Sequence, residues 1–482
     1  VLDSSFRNHY QGMLIWASAK PELRQRWLGL TPPREAEPWP APIASTLTEE
    51  QNGILQKIVT APDYFLLWGP PGTGKTSQML HHLVRHLLEN SGESLLLVAY
   101  TNRAVDEICE SIERITDATG ASFKDYLRIG SRYGVNPRFE GQLLQLKSAK
   151  IRKRTALKDL IQQTRVFVGT VASVGGKTEL FKLKSFDRII VDEASQILEP
   201  LLAGLLPRAP RSLLIGDHRQ LPAVVQQSAT NTKVHDSKLQ EVGLTNLATS
   251  LFERLYLTAQ RKGWAWAYDQ LSYQGRMHQD IMAFPARHFY DDQLDILPEG
   301  IPHRLTQLQR LTLAPAHSPL AQQLREQRIV FLPSSPDQSS ADPKVNGHEA
   351  QLMVDLIQAY TDLYASTDRP IGPGDIGIIT PYRAQIAHIR QKLQQAGLSV
   401  NQYQVDTVER YQGGAKRIIL ISLCTNDFNQ IQLLSQLSEE GVDRKLNVAM
   451  TRAREHLVIV GCPDILEQSM VYAELLDYLE TK

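Results

Sequence analysis

Residues 64–76 read YFLLWGPPGTGKT, and no other stretch limits the fold as tightly. YFLLW is apolar at every position, so it does not suit a strand with one wet face; it suits a strand covered on both sides, the kind parallel sheets contain. It runs straight into a loop carrying Gly69, Gly72 and Gly74, and the amphipathic SQMLHHLVRHLLEN follows at once. Strand, glycine-rich turn and helix in succession are the context a phosphate-binding loop needs. The glycines let the backbone curl until its N–H groups face an anion at the helix N-terminus. Gly69, Pro70, Pro71, Gly72, Thr73, Gly74, Lys75, Thr76 and Ser77 are the expected cradle for ATP. Lys75 would reach the terminal phosphates and the Thr76 hydroxyl would bind Mg²⁺.

The rest of the chain repeats the same rhythm. Short apolar runs (LLLVAY, VFVGT, RIIVDE, SLLIGD) alternate with longer amphipathic stretches, which predicts a parallel sheet with crossover helices. A second series follows: QRIVFLP, a helix from about Gly347, DIGIIT, a helix from about Arg383, QVDTV, RIILISL, a helix around Arg444 to Arg454, and HLVIVG. The expected fold class is α/β, with two tandem parallel-sheet domains. Residues 1–30 read as one helical segment and Pro32 to Pro42 as an extended linker, giving a first segment of 1–44. The expected domains are 45–271, with a small helical insertion at about 111–165, and 272–482. Lys147 to Lys158 (KSAKIRKRTALK) reads as a basic helix within that insertion.

FDRIIVDEAS predicts a buried strand, Arg188 to Val191, ending in the adjacent carboxylates Asp192 and Glu193. At the carboxyl end of a parallel strand, downstream of a phosphate loop, two such groups can serve one site. Asp192 would hold Mg²⁺, directly or through water, and Glu193 would act as general base on the attacking water.

Composition narrows the class. At 482 residues the chain has room for about three domains. The 52 basic and 52 acidic residues balance, so no global positive field announces a nucleic-acid partner and such contacts must come from local patches. Cys109, Cys424 and Cys462 stand far apart without a CxxC pair, which speaks for core thiols in a reducing compartment. No apolar run is long enough for a membrane span and no charged start leads into a signal core, so the expected place is the cytoplasm, with the nucleoid if the source is bacterial. Val1 in place of Met leaves room for a processed chain, or for a fragment whose missing N-terminal part carries another activity such as a nuclease.

LLIGDHRQLP, Leu213 to Pro222, resembles motif III of superfamily 1 helicases. With that register set, further segments resemble the family's motifs in order. LTEEQ (Leu47 to Gln51) looks like the Q motif, VAYTNRAVDEI (Val98 to Ile108) like motif Ia and VGTVASV (Val168 to Val174) like motif Ic. QGRMH (Gln274 to His278) looks like motif IV, followed by ITPYRAQ (Ile379 to Gln385). VDTVERYQGG (Val405 to Gly414) looks like motif V and LNVAMTRAREHLVIVG (Leu446 to Gly461) like motif VI. The resemblance covers roughly residues 45–465. It points to the 5′-to-3′ branch, which includes the helicase of nonsense-mediated decay and the helicase half of the Okazaki-fragment helicase–nuclease.

The resemblance implies two RecA-like domains with ATP hydrolysed at the cleft between them, and movement along single-stranded nucleic acid. Gln51 would read the adenine edge, Gln220 would sense the γ-phosphate with support from Asp217, and Arg276 and Arg452 would act as arginine fingers. Arg454, two residues further along the expected helix, would point away and form a structural ion pair. Two positions depart from the family. Gly275 stands where an aromatic residue stacks on adenine, with Tyr273 the ring nearest in sequence, and Ala415 stands where an acidic residue is common. Both departures imply looser base and sugar selectivity. Thr101, Asn102, Arg103, Thr170, Pro381, Tyr382, Arg383 and Thr407 occupy the family's strand-contacting positions, and the basic helix at Lys147 is a further candidate. The implied function is a 5′-to-3′ helicase or translocase on DNA, with RNA as the other strand type. Two other readings stand beside it: a nucleic-acid-stimulated ATPase that remodels complexes without unwinding, which shares every motif, and a P-loop switch ATPase that acts on a protein partner, which would lack a second RecA-like half and against which the ordered second series speaks.

Overall fold

The computed structural model describes residues 4–481 apart from 117–118, 302, 311, 412–413 and 439. It contains two compact units. The first is Val1–Gly69, Gly74–His218 and Pro222–Leu271; the second is Ser272–Lys482 with Pro70–Thr73 and Arg219–Leu221.

The first unit is built on seven strands: β1 Tyr64–Trp68, β2 Leu95–Ala99, β3 Tyr126–Ile129, β4 Val166–Thr170, β5 Arg188–Val191, β6 Arg211–Gly216 and β7 Tyr268–Gln270. Their order across the sheet is β3-β4-β2-β5-β6-β1-β7. Every pairing is parallel. All five residues of β1 are buried, as are those of β2 and β4, because helices cover both faces. Since the strands run the same way, the loops at their carboxyl ends gather on one edge, and the candidate residues of this unit lie there. The helix Glu49–Thr60 starts on a reciprocal cap in which the Thr48 side chain accepts from Gln51 N and the Gln51 side chain accepts from Thr48 N.

The second unit begins with the short parallel pair β8 Tyr273–Gln274 and β9 Asp295–Ile296. Its main sheet holds β10 Ile329–Pro333, β11 Ile376–Ile379, β12 Gln404–Asp406, β13 Lys416–Ser422 and β14 Ala453–Gly461. The order is β10-β14-β13-β11-β12, again parallel throughout. Glu349, near the start of the helix Gly347–Tyr364, is fully buried yet well supplied with donors: Ser334 Oγ, Ser422 Oγ, Cys424 N and Thr425 N all bond its carboxylate. Burial still raises its pKa, with those donors opposing the shift.

Four expectations need correction. The N-terminal segment is two helices, Ser4–Ser18 and Pro21–Trp27, not one; the ring of Pro21 excludes the α conformation at Lys20 and restarts the helix with proline in its first turn. The following proline-rich stretch is irregular in backbone but is packed on the first unit, with Trp39 against the core and its N–H donating to Gln56 O at 2.9 Å. The insertion at 111–165 is not wholly helical, since it contributes the edge strand β3, and its basic segment divides into Leu144–Ala149 and Arg154–Gln163 around a non-helical Lys150–Lys153. The helix expected to reach Arg454 is Arg444–Met450; pairing of Lys416 with Ala453 draws the chain into β14, so Arg452 sits in the turn and Arg454 on a strand.

Candidate functional site

The phosphate loop leaves β1 with Gly69 N bonded to Gly216 O at 3.0 Å, which anchors it to the neighbouring strand β6. Gly72 and Gly74 take φ of 80° and 83°, the left-handed region where a side chain is penalised, and this lets the loop turn back on itself. The Thr73 hydroxyl closes the turn by donating to Pro70 O at 2.8 Å. Lys75 Nζ donates to Gly69 O, so the ammonium stays inside the ring of the loop. The helix behind opens with wide turns over Lys75–Leu80, where both Gln78 N and Met79 N donate to Gly74 O. Ser77 is exposed at its start. Gln51 is buried, and its cap bond to Thr48 fixes the orientation of its amide.

The acidic pair sits where the sequence puts it, at the end of β5. Thr76 Oγ1 donates to Asp192 Oδ2 at 2.7 Å, and Glu193 N donates to Asp192 Oδ1 at 3.0 Å. Asp192 is buried; burial and then the neighbouring charge of Glu193 push its pKa up, against the pull of Thr76 and Lys75. A buried carboxyl next to a second carboxylate and a threonine hydroxyl fits a hard divalent cation, which would relieve that cost by favouring the ionised form. The donor set therefore suits Mg²⁺, with Thr76 and Asp192 as its protein contacts. Glu193 has φ 53° and ψ 39°, a left-handed conformation for a residue with a side chain, and Gln196 Nε2 holds its carboxylate at 3.2 Å. Such strain costs about 1–3 kcal/mol and persists where the surroundings enforce it.

Asp217, at the end of β6, is fully buried; Trp68 Nε1 donates to its Oδ1 at 2.9 Å and its own N–H donates to Ser195 Oγ at 3.2 Å. Trp68, Ser195 and Gln196 thus position the expected residues, yet sequence reasoning passed over them. VDEAS and the tryptophan at the end of YFLLW were the available signals. Gln220 is half-buried in the loop that follows.

In the second unit, Gln274 Oε1 accepts from the N–H groups of Arg276 and Met277, both at 2.7 Å, and shapes the turn. Arg276 Nη1 donates to Thr451 O at 3.2 Å, and His278 N donates to Arg454 O at 2.8 Å. The two segments carrying Arg276 and Arg452 are therefore joined, although 176 positions separate these arginines (452 − 276). Arg452 is 5% exposed and Arg454 exposed. Gly275 is exposed, and a Cβ there would meet Leu297 Cδ1 at 3.1 Å; Tyr273 on β8 is half-buried. Ala415 lies just before β13, and the adjoining Gln412 and Gly413 fall outside the described residues.

The strand-contact candidates fall on the carboxyl edges of both sheets. Thr101, Asn102 and Arg103 follow β2, and Thr170 ends the adjacent β4. Thr101 and Thr170 cap helices, accepting from Ala104 N at 3.2 Å and Ser173 N at 3.1 Å. Asn102 and Arg103 are exposed. Pro381, Tyr382 and Arg383 follow β11, and Thr407 follows the adjacent β12. Tyr382 is 7% exposed, so its ring is packed inward rather than presented to solvent. Arg383 is exposed at the first turn of Arg383–Gln395, where a cation opposes the helix dipole. The basic segment is partly spoken for, since Lys147 Nζ donates to Tyr126 O and Gln142 Oε1. The helix Asn102–Glu113 also reaches the phosphate loop: Ser111 Oγ donates to Thr76 O at 2.7 Å, and His81 Nδ1 lies 2.9 Å from Ser111 O.

Fold and site together define a P-loop protein of the parallel α/β class. Two family models, each described as an AAA domain, match residues 46–279 and 247–464. Among curated proteins, the DNA replication ATP-dependent helicase/nuclease DNA2 of Xenopus laevis is 30% identical over 97% of this chain and 42% of its own length. The protein of that name in Homo sapiens is 31% identical over 93% of this chain and 40% of its length, and the Regulator of nonsense transcripts 1 of Dictyostelium discoideum is 27% identical over 90% and 32%. The chain thus spans about two fifths or less of these relatives. It belongs with the superfamily 1 helicases, as a homologue of the helicase half of the DNA2 proteins and of the Upf1-like regulators. No described helix is long and apolar enough to cross a membrane.

Proposed function

We propose that this chain is an ATP-dependent helicase or translocase that hydrolyses Mg·ATP to move 5′ to 3′ along single-stranded nucleic acid, DNA in the first instance. The observation that carries the reading is the constellation at the ends of β1 and β5: Lys75 within the phosphate loop, the Thr76 hydroxyl on Asp192, and Glu193 held beside them by Gln196. ATP supplies the reacting phosphoryl group. Lys75 and the loop N–H groups bind its phosphates, Thr76 and Asp192 hold the metal, and Glu193 takes the proton of the attacking water. Gln51 contacts the base and Gln220 the terminal phosphate. Arg276 and Arg452 neutralise charge on the transferring group. The segments Thr101–Arg103, Thr170, Pro381–Arg383 and Thr407 hold the strand, chiefly through backbone and hydroxyl contacts to phosphate and sugar. DNA2 relatives carry DNA replication in their names, which supports DNA as the strand.

The test is the ATPase rate with and without single-stranded DNA and RNA, followed by displacement of a labelled strand from duplexes bearing a 5′ or a 3′ overhang. Stimulation by an oligonucleotide together with displacement from the 5′-tailed duplex is the expected result. An ATPase indifferent to both strands would remove the motor reading, and stimulation without displacement would reduce it to tracking or remodelling.

A further inference from the structure

Tyr133 is 100% exposed, more than any other large hydrophobic side chain among the described residues, but the loop that carries it is not loose. β3 ends at Ile129, and the chain turns through Ser131, whose side chain accepts from Tyr133 N while Gly134 N donates to Ser131 O at 3.1 Å. Beyond the turn, Val135, Phe139 and Leu143 are buried in the first unit's core and pin the loop down. Arg132 pairs with Glu140 at 3.3 Å, and Arg138 lies 3.6 Å from Glu113. Gly134 rests against Asn102: a Cβ on it would lie 2.6 Å from Asn102 Nδ2, so any larger residue would have to push that side chain aside. A built loop thus holds a large ring out in water beside Asn102, on the carboxyl edge shared by β2, β4 and β3. Exposed Arg103 and Arg132 lie in the same segments, and Tyr100, 39% exposed, follows β2 directly.

We propose that Tyr133 is a base-stacking residue of the strand track, its ring receiving a nucleobase of the single strand whose backbone runs past Thr101–Arg103. This rests on the strand-tracking function above and adds a contact to it. An aromatic face accepts any base, so it adds affinity without sequence preference, whereas the neighbouring arginines supply phosphate contacts that depend on salt. A buried tyrosine would be explained by packing; an entirely exposed one on a pinned loop contributes nothing to the core.

The experiment compares wild type with Tyr133→Ala, Tyr133→Phe and Tyr133→Leu. Binding is measured by anisotropy on unstructured DNA and RNA oligonucleotides at several salt concentrations, and by quenching of a 2-aminopurine placed in each position of the DNA strand. Tyr133→Ala should weaken binding by about five- to a hundredfold. The salt slope should stay the same, because no phosphate contact is lost. It should also abolish quenching at one position of the strand. Tyr133→Phe should restore both and Tyr133→Leu neither, with melting temperatures unchanged throughout. Effects on the DNA arm alone or the RNA arm alone would identify the strand stacked. If wild type binds and quenches but Tyr133→Ala does the same, or Leu restores as fully as Phe, the stacking assignment is overturned while the strand track stands. If wild type binds neither oligonucleotide, the proposed function falls and this inference with it.

Discussion

The hydroxyl of Thr76 donates to the carboxylate of Asp192 at 2.7 Å, bringing together two residues 116 positions apart from the carboxyl ends of β1 and β5. The pairing places both expected metal contacts side by side, with Asp192 buried and Thr76 its hydrogen-bond donor. Thr76→Val keeps the side-chain shape and removes the hydroxyl. It should raise the Mg²⁺ concentration for half-maximal ATPase by about ten- to a hundredfold. A Mg²⁺ titration of turnover at saturating ATP checks this; an unchanged midpoint would move the metal elsewhere.

Glu193 combines the carboxylate proposed as general base with a backbone conformation that disfavours a side chain, and two substitutions separate the two. Glu193→Gln keeps shape and strain and should cut turnover by about 10²–10⁴-fold while ATP still binds. Glu193→Gly also removes the base, but it relieves the positive φ and should raise stability by about 1 kcal/mol. Thermal melting of both variants beside single-turnover hydrolysis is the measurement. A Glu193→Gly protein that is inactive yet melts higher would show the strain to be maintained for the site.

Arg452 lies in the turn joining Met450 to β14, nearly buried, in a segment bonded to that of Arg276. Arginine fingers contribute about three to five orders of magnitude to turnover. With Arg276 still present, Arg452→Ala should reduce hydrolysis by at least about a hundredfold. ATP affinity, which belongs mainly to the phosphate loop, should change far less. Normal hydrolysis with lost oligonucleotide binding would assign Arg452 to the strand instead.

Stability should fall in mild acid. Burial, then the neighbouring His81, pushes the His82 pKa down to about 4, and burial holds that of His456 well below its ordinary value, its ring packed on Tyr360 and Tyr364. Both are neutral in the native state and bind protons more readily when unfolded, at about pH 6.5. Their contribution is therefore complete above that value and is lost as pH falls from about 6.5 towards the lower native values. Urea unfolding at pH 7 and pH 5 should show this loss, and His456→Phe should flatten it. An identical drop in His456→Phe would exclude His456 as its source.

Much of the site was legible because its chemistry is bound to local geometry. YFLLW can hardly be anything but a covered strand, the glycines after it mark the positive φ angles, and RIIVDE puts two carboxylates at a strand end. What escaped depended on partners far along the chain. Arg128 hides β3 from a hydrophobicity reading, since its burial is tolerated because Asp106 and the carbonyl of Asn102, both on the preceding helix, pair with it. The helix after Asp443 ends at Met450 because β13 claims Ala453, a competition between elements that local propensity does not contain. That Tyr133 points into water is likewise a property of the finished surface.

The bond from Ser111 to Thr76 makes the helix Asn102–Glu113 a shared strut. One end carries Asn102 and Arg103; roughly 14 Å along its axis, the other grips the carbonyl of the residue expected to touch the metal. A rigid rod transmits displacement without amplifying it, and this one is tied to the phosphate-loop side by the Ser111 bond, by His81 on Ser111 O and by Arg114 donating to Ser77 O. Under the proposed function, a shift at Thr76 on hydrolysis would therefore be felt at Asn102 and Arg103 within a single domain.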